Sequence, residues 1–271
     1  MDLSIIIVNY KSREKLNACL RSLASADLAG ISYEIIVVEN ASGDNLDDLI
    51  PDFANTCLIK SDRNLGMGGG NNLGISASQG RFILISNPDL VFSPAAVKQL
   101  YDYLREHPEA AIVGPKLLNP DGSLQYSCLR FPNFFVPFLR RTFIGRYLPG
   151  AINCYLMKNN DHQGELAVDW LLGACLLMRR DELAVAGKLF DERFFMYFED
   201  VDLCRRAHAL DKQVVYYPLA QVTHNHMRDS ARLPWYRAIF SDKLAKEHIK
   251  SWLKYFKKWG LGSPHKIICK K

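Results

Sequence analysis

Leu3-Ser4-Ile5-Ile6-Ile7-Val8 is a run of aliphatic, mostly β-branched residues with almost no polar alternation. A strand with one wet face alternates apolar and polar residues, whereas a strand covered on both faces does not. The run therefore predicts a central strand of a parallel sheet. Residues 12–25 follow with Leu16, Cys19, Leu20 and Leu23 at helical spacing, behind Ser12 as a predicted N-cap. Further strands are predicted at Tyr33–Val38, Cys57–Lys60 and Arg81–Ser86, with helices over 44–55, Asn71–Ser78 and Pro94–His107. This βαβ rhythm predicts an α/β fold: a Rossmann-like, mostly parallel sheet flanked by helices, with a ligand crevice at the carboxyl ends of its strands.

The second half is less regular. Pro120, Pro132, Pro137 and Pro149 punctuate residues 119–165, where loops and short elements are expected. A strand is predicted over Val168–Met178, a short helix from Asp181, a helix over Val201–Leu210, a strand over Gln213–Tyr217 and a last helix over 241–259.

The 271 residues are 48% hydrophobic and 23% charged, which suits a soluble globular chain with a large core. No apolar run is long enough to span a bilayer, and Asp2 precedes the first strand with no basic leader, so no secretory signal is expected. Seven scattered cysteines without a Cys-x-x-Cys pair predict reduced thiols in a cytoplasmic setting and no structural zinc. The net charge of +5 is uneven: residues 241–271 hold nine lysines against Asp242 and Glu247, a balance of +7, leaving −2 on the rest. The chain is therefore divided into a domain over 1–240 and a basic amphipathic tail over 241–271. Ala245, Ile249, Trp252, Leu253 and Phe256 share one face of that tail, and two readings stand: contact with an anionic membrane surface, or packing on the domain. Nucleic-acid binding is not expected, because the tail lacks interleaved arginines and a recognisable module.

Several motifs carry chemistry. Asn9 ends the first strand, and Glu39-Asn40 the second, where an acid can accept hydrogen bonds from a nucleobase or ribose; loop solvation is the plainer reading. Asn64-Leu65-Gly66-Met67-Gly68-Gly69-Gly70-Asn71-Asn72 reads as a glycine loop that lets backbone approach a ligand, or as a flexible turn. Asn87-Pro88-Asp89 follows a strand and can hold a divalent cation on a diphosphate, or simply cap the next helix. Glu199-Asp200-Val201-Asp202 can supply a general base, with the alternative that one acid caps a helix and another pairs with Arg205 or Arg206. His224 and His226 are candidate metal ligands or structural histidines.

In order along the chain, these motifs, with Val168–Cys175 and Phe190–Leu203, resemble family 2 glycosyltransferases of the GT-A fold, in particular the rhamnosyltransferase-like branch. The resemblance covers about residues 3–260. It implies an inverting transfer of a sugar from a nucleotide-sugar donor, with dTDP-rhamnose the branch's usual donor and a lipid-linked saccharide the common acceptor. UDP-hexose or UDP-N-acetylhexosamine transfer, and nucleotide-sugar binding without turnover, are the alternatives. The resemblance implies Asp200 as the base and Asp89 with His224 on a divalent cation, Mg2+ or Mn2+. It also implies donor contacts from Asn9, Glu39, Asn40, Asn64, Gly68, Asn71, Asn87, Trp170 and Gly173. Two positions depart from the pattern. Asn87 stands where many relatives have the first Asp of Asp-x-Asp, so the metal is expected to be held more weakly, or to be partly replaced by His224 and basic residues such as Arg228 and Arg232. Glu39 stands where an Asp is usual. The implied location is cytoplasmic, with the inner face of the plasma membrane as the peripheral alternative.

Overall fold

The computed structural model describes residues 1–136, 147–185, 187–225 and 242–261. Among them, β1 (Leu3–Asn9) is buried along its whole length and lies parallel to both β2 (Tyr33–Glu39) and β4 (Phe82–Ser86). Its alternate residues serve different cores. Ile5 and Ile7 join α1 (Arg13–Ala24) and α3 (Ala96–Glu106) on one face. Ile6 and Val8 join α2 (Gly66–Ala77) on the other. That two-sided cover accounts for the unbroken apolar run.

The sheet continues through β3 (Thr56–Lys60), β5 (Leu90–Phe92), β6 (Ala110–Leu118), β11 (Cys175–Arg179) and β12 (Gln213–His224), in the order β3-β2-β1-β4-β11-β6-β12-β5. β11 runs antiparallel between β4 and β6, while β12 returns parallel to β6. Short strands β7 (Leu124–Gln125) and β9 (Leu166–Ala167) pair with β6 and β12, and β8 (Cys128–Leu129) pairs separately with β10 (Trp170–Leu171). The remaining helices are α4 (Pro149–Tyr155), α5 (Arg180–Leu183), α6 (Glu199–Ala209) and α7 (Lys243–Trp259).

Four expectations differ from the structure. The helix expected over 44–55 is one 3-10 turn, Ile50–Asp52. Asn45 Oδ1 accepts the Asp47 N–H at 3.2 Å, and Asp44 carries the Asn9 and Ser12 N–H groups, so side chains take the bonds a helix would need. Ser12 precedes α1 but makes no side-chain cap. The strand expected over Val168–Met178 breaks at Leu172–Ala174 into β10 and β11. The glycine loop is the first turn of α2, which starts five residues before the expected Asn71.

The glycines of α2 serve packing. A Cβ on Gly74 would stand 2.5 Å from Ile6 Cγ2, and one on Gly70 2.9 Å from Val8 Cγ1, so their absence lets α2 lie directly on β1. Gly66 has φ +73° and faces the Phe195 carbonyl, which a Cβ would meet at 1.9 Å. The Gly66→Ala variant combines left-handed strain with a backbone clash. It is expected to lose about 2–4 kcal/mol of stability in urea unfolding, and a parental midpoint would refute this account.

Candidate active site

Three strand ends meet at one edge of the sheet. β1 and β2 are in register to their last pair, Asn9 opposite Glu39, and Asn87 follows the end of β4 beside them. His224 ends β12 opposite Leu90, which places it beside Asp89. The imidazole Nε2 lies 3.3 Å from Asp89 Oδ1, and Lys15 Nζ lies 3.6 Å from Asp89 Oδ2. His224 Nδ1 bonds Gln125 Oε1 at 2.7 Å, and Gln125 Nε2 in turn donates to Asn119 Oδ1 at 3.4 Å. That chain orients Gln125 with its carbonyl toward the histidine Nδ1, which leaves Nε2 turned toward Asp89.

A carboxylate oxygen and an imidazole nitrogen so placed fit two ligands of a divalent cation. No cluster of three or more His, Cys, Asp or Glu side chains gathers among the described residues. Asn87 Oδ1 is buried nearby in sequence with no hydrogen-bond partner among the described residues. His226, Arg228 and Arg232 lie outside the described residues.

The acidic pair stands at the start of α6. Asp200 is 8% exposed; its Oδ2 accepts the Gly173 N–H at 2.9 Å and its Oδ1 the Val201 N–H at 2.8 Å. Gly173 allows this contact, since a Cβ there would stand 2.9 Å from Asp200 Cβ. Burial raises the Asp200 carboxyl above its ordinary range, opposed by those N–H groups. Burial, then the Asp200 charge, pushes Glu199 up to about 8. Glu199 Oε2 has no hydrogen-bond partner among the described residues. The pair therefore keeps its proton on Glu199, and the carboxylate charge rests on Asp200, where backbone donors stabilise it. An ionised carboxylate in so dry a place can accept a proton. Asp202, wholly buried, pairs with Arg206 at 3.2 Å, as the ion-pair reading of the cluster had it.

Several expected donor contacts are used inside the protein. Asn40 Nδ2 donates to Asn64 Oδ1 at 3.2 Å and to the Gly66 carbonyl at 3.1 Å, while its Oδ1 takes the Leu65 N–H. Asn40 and Asn64 thus clasp the entry to α2. Gly68 lies within α2, where a Cβ would stand 3.3 Å from the Phe194 carbonyl oxygen and 3.4 Å from Phe190 Cβ. Trp170 is 6% exposed within the second core, and its indole N–H bonds the Arg130 carbonyl at 2.8 Å, so it does not line an open pocket. Glu39 receives three bonds from Ala41 and Ser42 and closes the turn after β2. Asn9 and Asn71 fare differently: each is buried with an Oδ1 that finds no partner among the described residues. Residues not singled out from sequence are Lys15, Asp44 and Gln125. Each acts across at least 30 positions of chain, and no local pattern marks it.

The sequence profile of the glycosyl transferase family 2 domain matches residues 4–157. The chain belongs to this family. An N-acetylglucosaminyl-diphospho-decaprenol L-rhamnosyltransferase of Mycobacterium tuberculosis is 29% identical over 245 residues, 86% of this chain and 78% of that one. The rhamnosyltransferase WbbL of Escherichia coli is 27% identical over 260 residues, 93% of this chain and 91% of its own. A crystal structure of GalNAc-T7 with UDP, GalNAc and Mn2+ superimposes with TM-score 0.65 at 12% identity, covering 96% of this chain and 50% of that one. At that identity it speaks to the fold, which is the GT-A arrangement. The family 2 chain is a glycosyltransferase.

The proton on Glu199 has a measurable consequence. Its carboxyl titrates near 4.5 ordinarily and about 8 when folded. Between those values the folded glycosyltransferase holds a proton that the unfolded chain releases, so stability falls as pH rises through the window. Below it both states are protonated, and above it both are ionised. In Glu199→Gln the decline is expected to flatten in urea midpoints taken across the window; an unchanged slope would reject the assignment.

Proposed function

We propose that this glycosyltransferase moves rhamnose from dTDP-rhamnose to a hydroxyl of a lipid-linked saccharide, with inversion at the anomeric carbon. The observation that carries the chemistry is the Asp200 carboxyl group, buried and aimed by the Gly173 and Val201 N–H groups. The names of the two rhamnosyltransferase relatives support the sugar and, in the mycobacterial case, a diphospho-polyprenol acceptor.

In this reading Asp200 takes the proton from the acceptor hydroxyl as that oxygen attacks the anomeric carbon. The bond from that carbon to the β-phosphate oxygen breaks, and the nucleoside diphosphate departs. Asp89 and His224 would hold a divalent cation, Mg2+ or Mn2+, whose chemistry is to neutralise charge on the leaving diphosphate. Lys15, on the far side of Asp89, adds a fixed positive charge to the same region. The amide oxygens of Asn9, Asn71 and Asn87, without a partner among the described residues, would accept hydrogen bonds from the donor.

The reading places the enzyme in the cytoplasm, on the inner face of the plasma membrane, where lipid-linked acceptors are built. No helix among the described residues is long and apolar enough to cross a membrane. The apolar face of α7 is largely spent inside the protein: Ala245, Tyr255 and Phe256 are buried, while Leu253 is exposed. Lys243, Lys246, Lys250, Lys254 and Lys257 are exposed on its outside. Contact with an anionic surface would thus be chiefly electrostatic.

Two experiments test this reading. In a donor panel with Mg2+ or Mn2+, dTDP-rhamnose should give the highest transfer, and Asp200→Asn should bind donor normally while transfer falls by about 10³-fold. Preference for a UDP-sugar would reject the donor, and near-normal turnover in the variant would reject the base. Flotation with anionic vesicles should be lost in about 0.5 M salt. Absence of flotation at low salt, or flotation that resists salt, would reject the electrostatic contact.

A further inference from the structure

We propose that α7 is a positioning clamp for Asp200, holding the strained turn from which the catalytic helix α6 starts; the proposal rests on the reading of Asp200 as the base. Tyr197 and Phe198, the residues just before Glu199, have φ of 67° and 66°. Two successive bulky residues in the left-handed region are costly and persist only where their surroundings hold them.

Those surroundings come from α7, about fifty positions later in the chain. The His248 ring lies 4.8 Å from that of Tyr197 and 5.4 Å from that of Phe198. The Tyr255 ring lies 5.3 Å from Phe198. Ser251 Oγ donates to the Met196 carbonyl at 2.8 Å, and Lys254 Nζ to the Arg193 carbonyl at 2.6 Å. The turn is thus gripped at both its backbone and its rings.

The same helix holds the other side of Asp200. Asp202 Oδ1 accepts the Trp259 indole N–H at 2.7 Å and pairs with Lys258 Nζ at 2.6 Å, leaving Oδ2 to Arg206. Arg205 donates to the Tyr255 hydroxyl at 2.9 Å and to the Trp259 carbonyl at 3.3 Å, with its guanidinium 4.8 Å from the Trp259 ring centroid. Asp200 therefore lies between two anchor points, residues 196–198 and residues 202–205, and both are fastened to α7. The turn also reaches α2, since the Met67 N–H bonds the Phe195 carbonyl at 2.8 Å. Release of the clamp would let α6 slide relative to Gly173 and misaim the carboxylate without removing it.

Trp259→Phe removes the N–H to Asp202 and keeps a ring on Arg205, while His248→Ala removes the support under the turn. In the full chain, amide hydrogen exchange over residues 197–203 is expected to quicken by about tenfold or more in each variant while β1 and β4 stay protected. On the donor that the parent turns over, kcat is expected to fall by about 10²-fold with donor KM nearly unchanged. Parental exchange over 197–203 in both variants overturns the clamp. So does loss of protection spread across the sheet, or a fall in kcat matched by a rise in KM, since either marks a merely structural role. If the parent turns over no donor, the transferase reading fails by itself, and the exchange pattern still decides the clamp.

Discussion

A carboxylate kept ionised where water is scarce constrains everything around it. Asp200 is buried, yet two backbone N–H groups point at its oxygens, and its acidic neighbour Glu199 holds the proton that both cannot release. That arrangement needs a strand to break, because Gly173 can offer its N–H only from the turn between β10 and β11. It needs a glycine at that turn, because any Cβ would press on Asp200. It needs α6 to begin abruptly after two left-handed residues. The aromatic packing around Tyr197 and Phe198, and the polar anchoring of Asp202, are the means by which the fold supports these demands.

The crevice on the other side of the site follows from the sheet. Parallel strands end together, so Asn9, Glu39 and Asn87 arrive at one edge. The long β12 carries His224 back to Asp89 from the opposite end of the sheet. Asp89 then has a cationic side chain near one oxygen and an imidazole near the other. The loss of an acid at Asn87 reduces the negative charge in the crevice, and Lys15 shifts the balance further.

The basic amphipathic helix has two faces with separate duties. Its inner face belongs to the second core, through Tyr255 and Phe256, and to the support of α6, through Trp259 and Lys258. Its outer face is a row of exposed lysines. Charge composition sets this segment apart because it reports the solvent face, whereas the packing of Tyr255 and Phe256 shows what the other face covers.

Much was legible from local pattern. The apolar run of β1 dictated burial on both faces, and the spacing of Leu16, Cys19, Leu20 and Leu23 dictated α1. The ordered motifs marked Asp200, Asp89 and His224, and the structure brings the last two together. What local pattern could not disclose were the partners of polar groups distant in sequence. Asn40 and Asn64 look like ligand contacts until their bonds to the α2 entry are traced, and Trp170 looks like a pocket wall until its N–H is found on Arg130. The glycines near 66–70 look like a phosphate loop until Ile6, Val8 and Phe195 are seen against α2. By itself, then, the sequence determined the layered sheet and the residue types at the site, because periodicity and strand ends are local properties. Only tertiary structure decided which polar atoms stay available to a substrate and which are consumed, because a hydrogen-bond partner thirty or a hundred residues away leaves no trace in the spacing of its neighbours.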